Sequence, residues 1–336
     1  MKMKHYLLSE NQRRIQINAL QLLEALLDGE RRLAGFAGSM LWKSAGGKEY
    51  LFKLAGRRGY GRSMGPRAPE TEKIHADFHA GKAREKARTH ALRARMDEQV
   101  RFNRAALIGR VPAMVVRLLE KLRQTGFGTH NLVVIGTNAL YAYESMAGVF
   151  FEEAITATTD IDLLWDNRSR LKLVSQDPPS LLKILQAIDP SFERLSGQTF
   201  RAANKNGFLV DLIRQMPDPP WKDTPVTLGS DEADLVATDI WNMKWLLSAP
   251  RITQPVIAEN GKMTLMPVLD PRAFAAFKLW LARSTERDPA KKPRDLAQAD
   301  ALLDVIREFL PQYPLDTESM RMFPREIAAG AVSPRV

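Results

Sequence analysis

Three short stretches decide the fold: LVVIGTNALYAYES (132–145), TTDIDLLWD (158–166) and GFLVDLI (207–213). LVVI is an unbroken apolar run of strand length. Gly136-Thr137 ends it and opens NALYAYESMAG (138–148), whose spacing predicts a helix. DIDLLW reads as a second strand and GFLVDLI as a third. Residues i and i+2 of a strand share a face, so Asp160 and Asp162 point one way while Ile161 points to the core. Asp211 faces away from its neighbours Val210 and Leu212, and an antiparallel pairing is the arrangement expected to bring its carboxylate beside the first two.

Asp is depleted from strands and seldom buried without a partner, so three of them on strands ask for an explanation. Two or three carboxylates on adjacent rigid strands form an oxygen-rich pocket suited to magnesium or manganese. Magnesium in particular is bound by one or two carboxylates plus the phosphates of a substrate. With two such ions, one activates an attacking hydroxyl and the other stabilises a leaving pyrophosphate. A glycine before a helix lets backbone amides approach a phosphate, and the helix N-terminus adds partial positive charge there. Thr137 and Asn138 would offer side-chain hydrogen bonds to the same phosphates. A lone Asp-x-Asp arises by chance about once in a chain of this length. The ordered set is the informative feature, and the competing reading is an α/β domain with salt-bridged aspartates at strand ends.

Working outward, PPSLLKILQAI (178–188) is a helix, and QTFRA (198–202) forms a hairpin with GFLVDLI around Asn204-Lys205-Asn206-Gly207. QMPDPPWKDTP (215–225) reads as a linker. Beyond it, DLVATDIWNMKWLLSAP (234–250) and residues 272–310 read as mainly helical, apart from a hairpin at PVIAENGKMTLMPV (255–268). Toward the N-terminus, residues 9–28 form an amphipathic helix with Ser9 as its cap and Gly29 at its end. FAGSMLWKSAGGKEYLFKL is a β-hairpin around Gly46-Gly47, and a basic, glycine-rich stretch follows it. Helices are expected over about 70–104 and 111–124.

The ordered acids resemble the polymerase-beta nucleotidyltransferase superfamily, whose motif is Gly-Ser or Gly-Gly before a helix, then Asp-x-Asp, then a third acid. More narrowly, YLFKL with RSMGPRAPETE, GTNALYAYES, TTDIDLLWD, GFLVDLI and DPRAFAAFKLWLARSTERDPAKKPRDLAQADALL are similar to an uncharacterised bacterial family with the nucleotidyltransferase fold. The resemblance implies Gly136 and Thr137 at a phosphate loop, Asp160 and Asp162 as metal ligands and Asp211 as the third catalytic carboxylate. Thr137 stands where serine is usual, and the interval from Gly136 to Asp160 is longer than in minimal members. The C-terminal helices resemble those of abortive-infection toxin nucleotidyltransferases. By that likeness Lys278 reaches the triphosphate, and Arg294 or Asp295 supports the nucleotide pocket. The bland alternative is an exposed Lys278 and a capping Arg294–Asp295 pair.

Charge adds an expectation about partners. Residues 1–130 carry 26 basic and 12 acidic side chains, against 23 and 27 in the remainder. That asymmetry suits a basic module meeting a polyanion, and Trp42, Arg57, Arg58 and Arg62 are its candidate acceptor-binding residues. The competing reading is a solvated helical surface. There is no cysteine, which removes thiolate metal sites and suits a cytoplasm. Neither a signal sequence nor a membrane-spanning run is legible. His75 and His79 have metal-pair spacing but lack a third ligand, and Gly59-Tyr60-Gly61 follows no strand–helix unit.

The expected architecture is therefore α+β. A basic helix-and-hairpin module (1–125) precedes a mixed-sheet nucleotidyltransferase core (126–216), and a helical domain (217–336) closes over the nucleotide. The expected reaction moves a nucleoside monophosphate from a triphosphate such as ATP to a hydroxyl. RNA, such as a tRNA end, is the leading acceptor, with a protein side chain or small molecule left open. The alternative is a non-catalytic nucleotide-sensing or nucleic-acid-binding protein on the same fold.

Overall fold

The computed structural model describes residues 5–55, 61–126, 131–166, 180–222, 226–229, 231–240 and 244–332. Packing divides the chain into two compact units: residues 14–106, and residues 1–13 together with 107–336. Among the described residues no helix is long and apolar enough to cross a membrane.

The chain opens with β1 (His5–Leu7) and α1 (Glu10–Ala34). Ser9 caps α1 reciprocally: its hydroxyl accepts from the Gln12 N–H at 3.3 Å, and its own N–H donates to Gln12 Oε1 at 3.0 Å. Next come β2 (Ser39–Ala45), β3 (Lys48–Leu54), β4 (Gly61–Pro66) and α2 (Pro69–Ala105). The β2–β3 hairpin turns on Gly46-Gly47 as the sequence predicts, both with positive φ. The basic stretch after it supplies β4, a third antiparallel strand. Gly29 does not end α1. It is buried inside the helix, where a Cβ would lie 3.2 Å from Thr89 Oγ1 of α2, so this glycine serves close helix packing.

The other unit continues with α3 (Ala113–Gln124), β5 (Leu132–Ile135), α4 (Leu140–Ala147), β6 (Val149–Phe151), α5 (Glu153–Thr156) and β7 (Asp160–Trp165). Then follow α6 (Leu181–Ile188), β8 (Glu193–Leu195), β9 (Gln198–Ala203), β10 (Leu209–Gln215), β11 (Thr238–Ile240) and α7 (Lys244–Ser248). The hairpin β12 (Arg251–Ile257) and β13 (Met263–Leu269) leads to α8 (Pro271–Arg283), α9 (Lys292–Phe309) and α10 (Arg325–Val332).

One mixed sheet organises this unit, in the order β5-β7-β10-β9-β8 with β11 also on β10. β10 runs parallel to β7 and to β11 and antiparallel to β9. Ile161, Leu163, Val210 and Leu212 are fully buried between the aspartates of the two central strands, which is the alternation that a one-sided core requires. Two segments differ from the sequence reading. The long interval between the Gly136 helix and Asp160, for which the sequence suggests no regular element, holds β6 and α5. Residues 234–250, read as mainly helical, contribute β11, because Val236, Thr238 and Ile240 alternate with period two and favour a strand.

The start of α6 is held from a distance. Asp234, fully buried, accepts from the N–H groups of Leu181 (3.1 Å) and Leu182 (2.9 Å), while Ser180 Oγ accepts from Lys183 N–H at 3.0 Å. Asp234→Ala leaves two helix N–H groups unsatisfied in the interior. It is expected to lower the free energy of unfolding by about 2 kcal/mol in urea titrations, and Asp234→Asn by less.

Candidate active site

The carboxylates meet because of register. β7 and β10 pair with Asp162 opposite Asp211 and Asp160 opposite Leu209. Residues opposite one another on neighbouring strands share a face whatever the strand direction. The parallel pairing found here thus does what the expected antiparallel one would have done. Arg201, on β9, is paired with Asp211 from the other side and joins the same face. Asp160, Asp162, Asp211 and Arg201 all line one cavity of about 480 Å³, with Gly136 and Thr137 at its edge.

Electrostatics in this cluster are strained by like charge. Burial pushes the Asp162 carboxyl up to about 7, and the charges of Asp160 and Asp211 push the same way. Arg201 offsets part of that charge with a two-pronged grip on Asp211, Nε to Oδ1 and Nη2 to Oδ2, each 2.6 Å. The hydrogen bonds to Asp211 hold the Arg201 guanidinium above its ordinary value. Thr158 Oγ1 donates to Asp160 Oδ1, and Asn138 Nδ2 donates to the Asp160 carbonyl at 2.5 Å. Among the described residues no three His, Asp or Glu side chains stand as a ready-made metal cluster.

Gly136 is fixed by two constraints. Its φ is +73°, and a Cβ there would lie 2.0 Å from Asp162 Oδ2. After it, Thr137–Ala139 form one 3-10 turn leading into α4. Thr137 Oγ1 accepts from Gln298 Nε2 at 3.1 Å, and the same nitrogen donates to the Ile155 carbonyl at 2.7 Å. Asn138 is buried behind the cavity, where it anchors the start of β7.

Helices α8 and α9 and their connection form the opposite wall, with Lys278, Trp280, Arg287, Lys291, Arg294, Asp295 and Gln298 facing the cavity. Lys278 is a buried lysine, not an exposed one, and donates to Asp295 Oδ1 at 2.8 Å. Arg287 Nε donates to Asp295 Oδ2 at 2.7 Å. Burial lowers the Lys278 ammonium below the usual lysine value, against the pull of Asp295 and Asp162. Burial works to raise the Asp295 carboxyl but is outweighed by Lys278 and Arg287, which hold it below the usual range. Asp295 is thus clasped by these two cations. Arg294 donates instead to the Ala157 carbonyl. Its buried Nε and the buried Oε1 of Gln298 have no hydrogen-bond partner among the described residues.

Gly136, Thr137, Asp160, Asp162, Asp211, Lys278, Arg294 and Asp295 therefore share one cavity. In the 14–106 unit, Trp42 packs toward α2, with the His75 ring 5.7 Å away and the Arg67 guanidinium 5.2 Å above it. Arg62 is exposed on β4, while Arg57 and Arg58 lie outside the described residues. The sequence reading missed Arg201, Thr158, Arg287 and Gln298. Arg201 was within reach, since a hairpin turning at 204–207 sets 201 opposite 211. Gln298 had a weaker signal, a polar residue three positions after Asp295 on an otherwise apolar helix face.

With this geometry in place, comparison by sequence identifies the class. A family model described as nucleotidyltransferase matches residues 113–323, more than half of the chain. The chain belongs to that nucleotidyltransferase family. No curated protein and no solved structure matches it.

The two constraints on Gly136 can be separated experimentally. Gly207 also has positive φ, +77°, but nothing lies within 4 Å of a Cβ there. Gly207→Ala should cost only the backbone term, about 1 kcal/mol. Gly136→Ala should cost clearly more in the same thermal melts, because it also displaces the Asp162 carboxylate.

Proposed function

We propose that this chain is a polymerase-beta-type nucleotidyltransferase that moves a nucleoside monophosphate from a nucleoside triphosphate to a hydroxyl. What carries the reading is the set of three aspartates held in register on one sheet face beside the Gly136-Thr137 turn, inside a cavity whose far wall carries Lys278, Arg287, Lys291 and Arg294. The acceptor oxygen forms a new bond to the α-phosphorus as the bond to the bridging oxygen breaks. Pyrophosphate leaves with that electron pair, and the hydroxyl proton passes to the carboxylate cluster.

The donor set fits magnesium or manganese: it is all oxygen, with three carboxylates on the sheet side against the single guanidinium of Arg201. Asp160, Asp162 and Asp211 would hold such ions, which supply charge neutralisation at the phosphates and the leaving pyrophosphate. The chain's own residues do the positioning. The turn after Gly136 offers backbone N–H groups and the Thr137 hydroxyl to the phosphates, and Gln298 fixes that hydroxyl. Arg294, with its unpartnered Nε, and Lys278 supply positive charge for the triphosphate tail. Asn138 acts at one remove, by anchoring Asp160 through its carbonyl. RNA, such as a tRNA end, is the acceptor favoured by the basic first 130 residues.

Incubation with labelled triphosphates, magnesium and total cellular RNA or lysate tests this directly, by identifying what becomes labelled. Asp162→Asn should reduce transfer by about 10³-fold or more, several kcal/mol of lost charge stabilisation, with an unchanged circular-dichroism spectrum. Full activity in that variant would make the residue structural.

Arg201 competes with cations for Asp211 in this reading. Arg201→Gln, measured without nucleotide by manganese electron paramagnetic resonance, should bind Mn²⁺ about tenfold more tightly, a difference of about 1.4 kcal/mol. Weaker binding would mean that Arg201 orients Asp211 instead of masking it.

A further inference from the structure

The three-stranded sheet of the 14–106 unit has two unlike faces. Strand pairing sets Trp42 opposite Leu51 and Met40 opposite Lys53, and this is the face against α2, where Met40 and Leu51 cluster with Phe78. The same register puts Leu41 opposite Phe52, Lys43 opposite Tyr50 and Ala45 opposite Lys48 on the other face. Tyr50 and Phe52 are only half-buried there, and Lys43 and Lys48 are exposed. Among the described residues the one ring contact on this face is Lys43 Nζ, 5.1 Å from the Phe52 centroid.

We propose that this second face, built on Tyr50, Phe52, Lys43 and Lys48, binds unpaired RNA. The inference deepens the acceptor reading above and rests on it for the choice of RNA over DNA.

Charge complementarity singles out a polyanion. Residues 39–67 contain seven Lys or Arg and one acid, Glu49. That acid is already taken by Arg67, Nη1 to Oε2 at 2.6 Å. Lys43 and Lys48 form no salt bridge among the described residues, whereas Lys53 and Arg62 stand on the face toward α2. On the second face the described residues of β2 and β3 carry Lys43 and Lys48 and no acid, since Glu49 pairs with Ser44 on the face toward α2, and phosphates would supply the missing counter-charge. Two partly exposed rings alternating with lysines on a rigid sheet also offer what duplex cannot use. Unpaired bases present π-faces that stack on aromatic side chains, while lysines follow the backbone. Trp42 is committed to His75 and Arg67 on the inner face, so the gripping aromatics are Tyr50 and Phe52.

The test uses full-length protein and fluorescein-labelled RNA of about 12 nucleotides, unpaired or as a duplex, with anisotropy read across a salt titration. Wild type should bind the unpaired strand more tightly than the duplex, with affinity falling as salt rises. Tyr50→Leu with Phe52→Leu keeps apolar packing and removes stacking, and should weaken unpaired RNA at least tenfold. Lys43→Gln with Lys48→Gln should weaken it too and flatten the salt slope by about 1.4. Asp162→Asn should bind as wild type does. Binding by both double variants that matches wild type at every salt concentration overturns the assignment. So does duplex bound as tightly as single strand, and so does poly-glutamate displacing the RNA at equal charge, which would indicate a protein partner. Transfer activity is scored separately. A face that fails while Asp162→Asn still blocks transfer leaves the enzymatic reading standing, and a face that passes in a protein without transfer leaves only the binding.

Discussion

The in-register pairing of β7 with β10 is the constraint on which the rest of this molecule depends. It sets Asp162 directly beside Asp211 with Asp160 on the same face, so like charges stand on strands about 4.8 Å apart. Two such charges repel by about 3 kcal/mol at an effective dielectric near 20. A fold optimised for stability alone would not keep them. Neighbours answer this repulsion: Arg201 grips Asp211 and Thr158 donates to Asp160, while burial first and the like charges second draw Asp162 toward its protonated form. These responses are partial, and the cations proposed above would complete them.

The same register dictates the glycine. The strand carrying Ile135 pairs with β7 at Asp162, so the backbone leaving β5 passes directly over that carboxylate. Only a residue without a Cβ fits, and only a positive φ turns the chain into the following helix. Gly136 and Asp162 are thus one geometric solution, not two motifs. Gln298 and Asn138 extend it inward, the first tying Thr137 to the end of α5 and the second tying the turn to β7.

Much of this was legible in the sequence because the decisive facts are local. Strand alternation around Asp160, Asp162 and Asp211, the apolar run before Gly136 and the Asn204–Gly207 turn each sit within a few residues. What was illegible depends on tertiary choice. Strand direction between β7 and β10 cannot be read from alternation, which is identical for either direction. Gly29 looks like a helix end until Thr89 is seen against it. Thr238 and Ile240 fall in a segment whose Trp and Met content suits either structure, and β11 exists because β10 offers an open edge there. Lys278 has the same spacing on paper whether buried or exposed, and its burial follows from the packing of α8 on α9.

That packing poses a last physical question, because buried ion pairs rarely stabilise a fold relative to well-packed apolar side chains. Beyond Arg272 at its start, α8 buries Ala, Phe and Leu, yet it places Lys278 in the interior against Asp295, with Arg287 closing the other side. The distribution of charge supplies a reason. Among the described residues lining the cavity are five acids and five bases, and they are segregated. The sheet side carries Asp160, Asp162 and Asp211 against Arg201, whereas the helical side carries Lys278, Arg287, Lys291 and Arg294 against Glu286 and Asp295. A cavity with a negative floor and a positive wall is poorly suited to a bare polyanion or a bare cation, since each would meet one repelling side. It suits a ligand that is itself bipolar, cation at one end and phosphates at the other. The buried Lys278 pair is then the cost of fixing that polarity in a rigid wall, where a flexible surface lysine would let it relax into solvent.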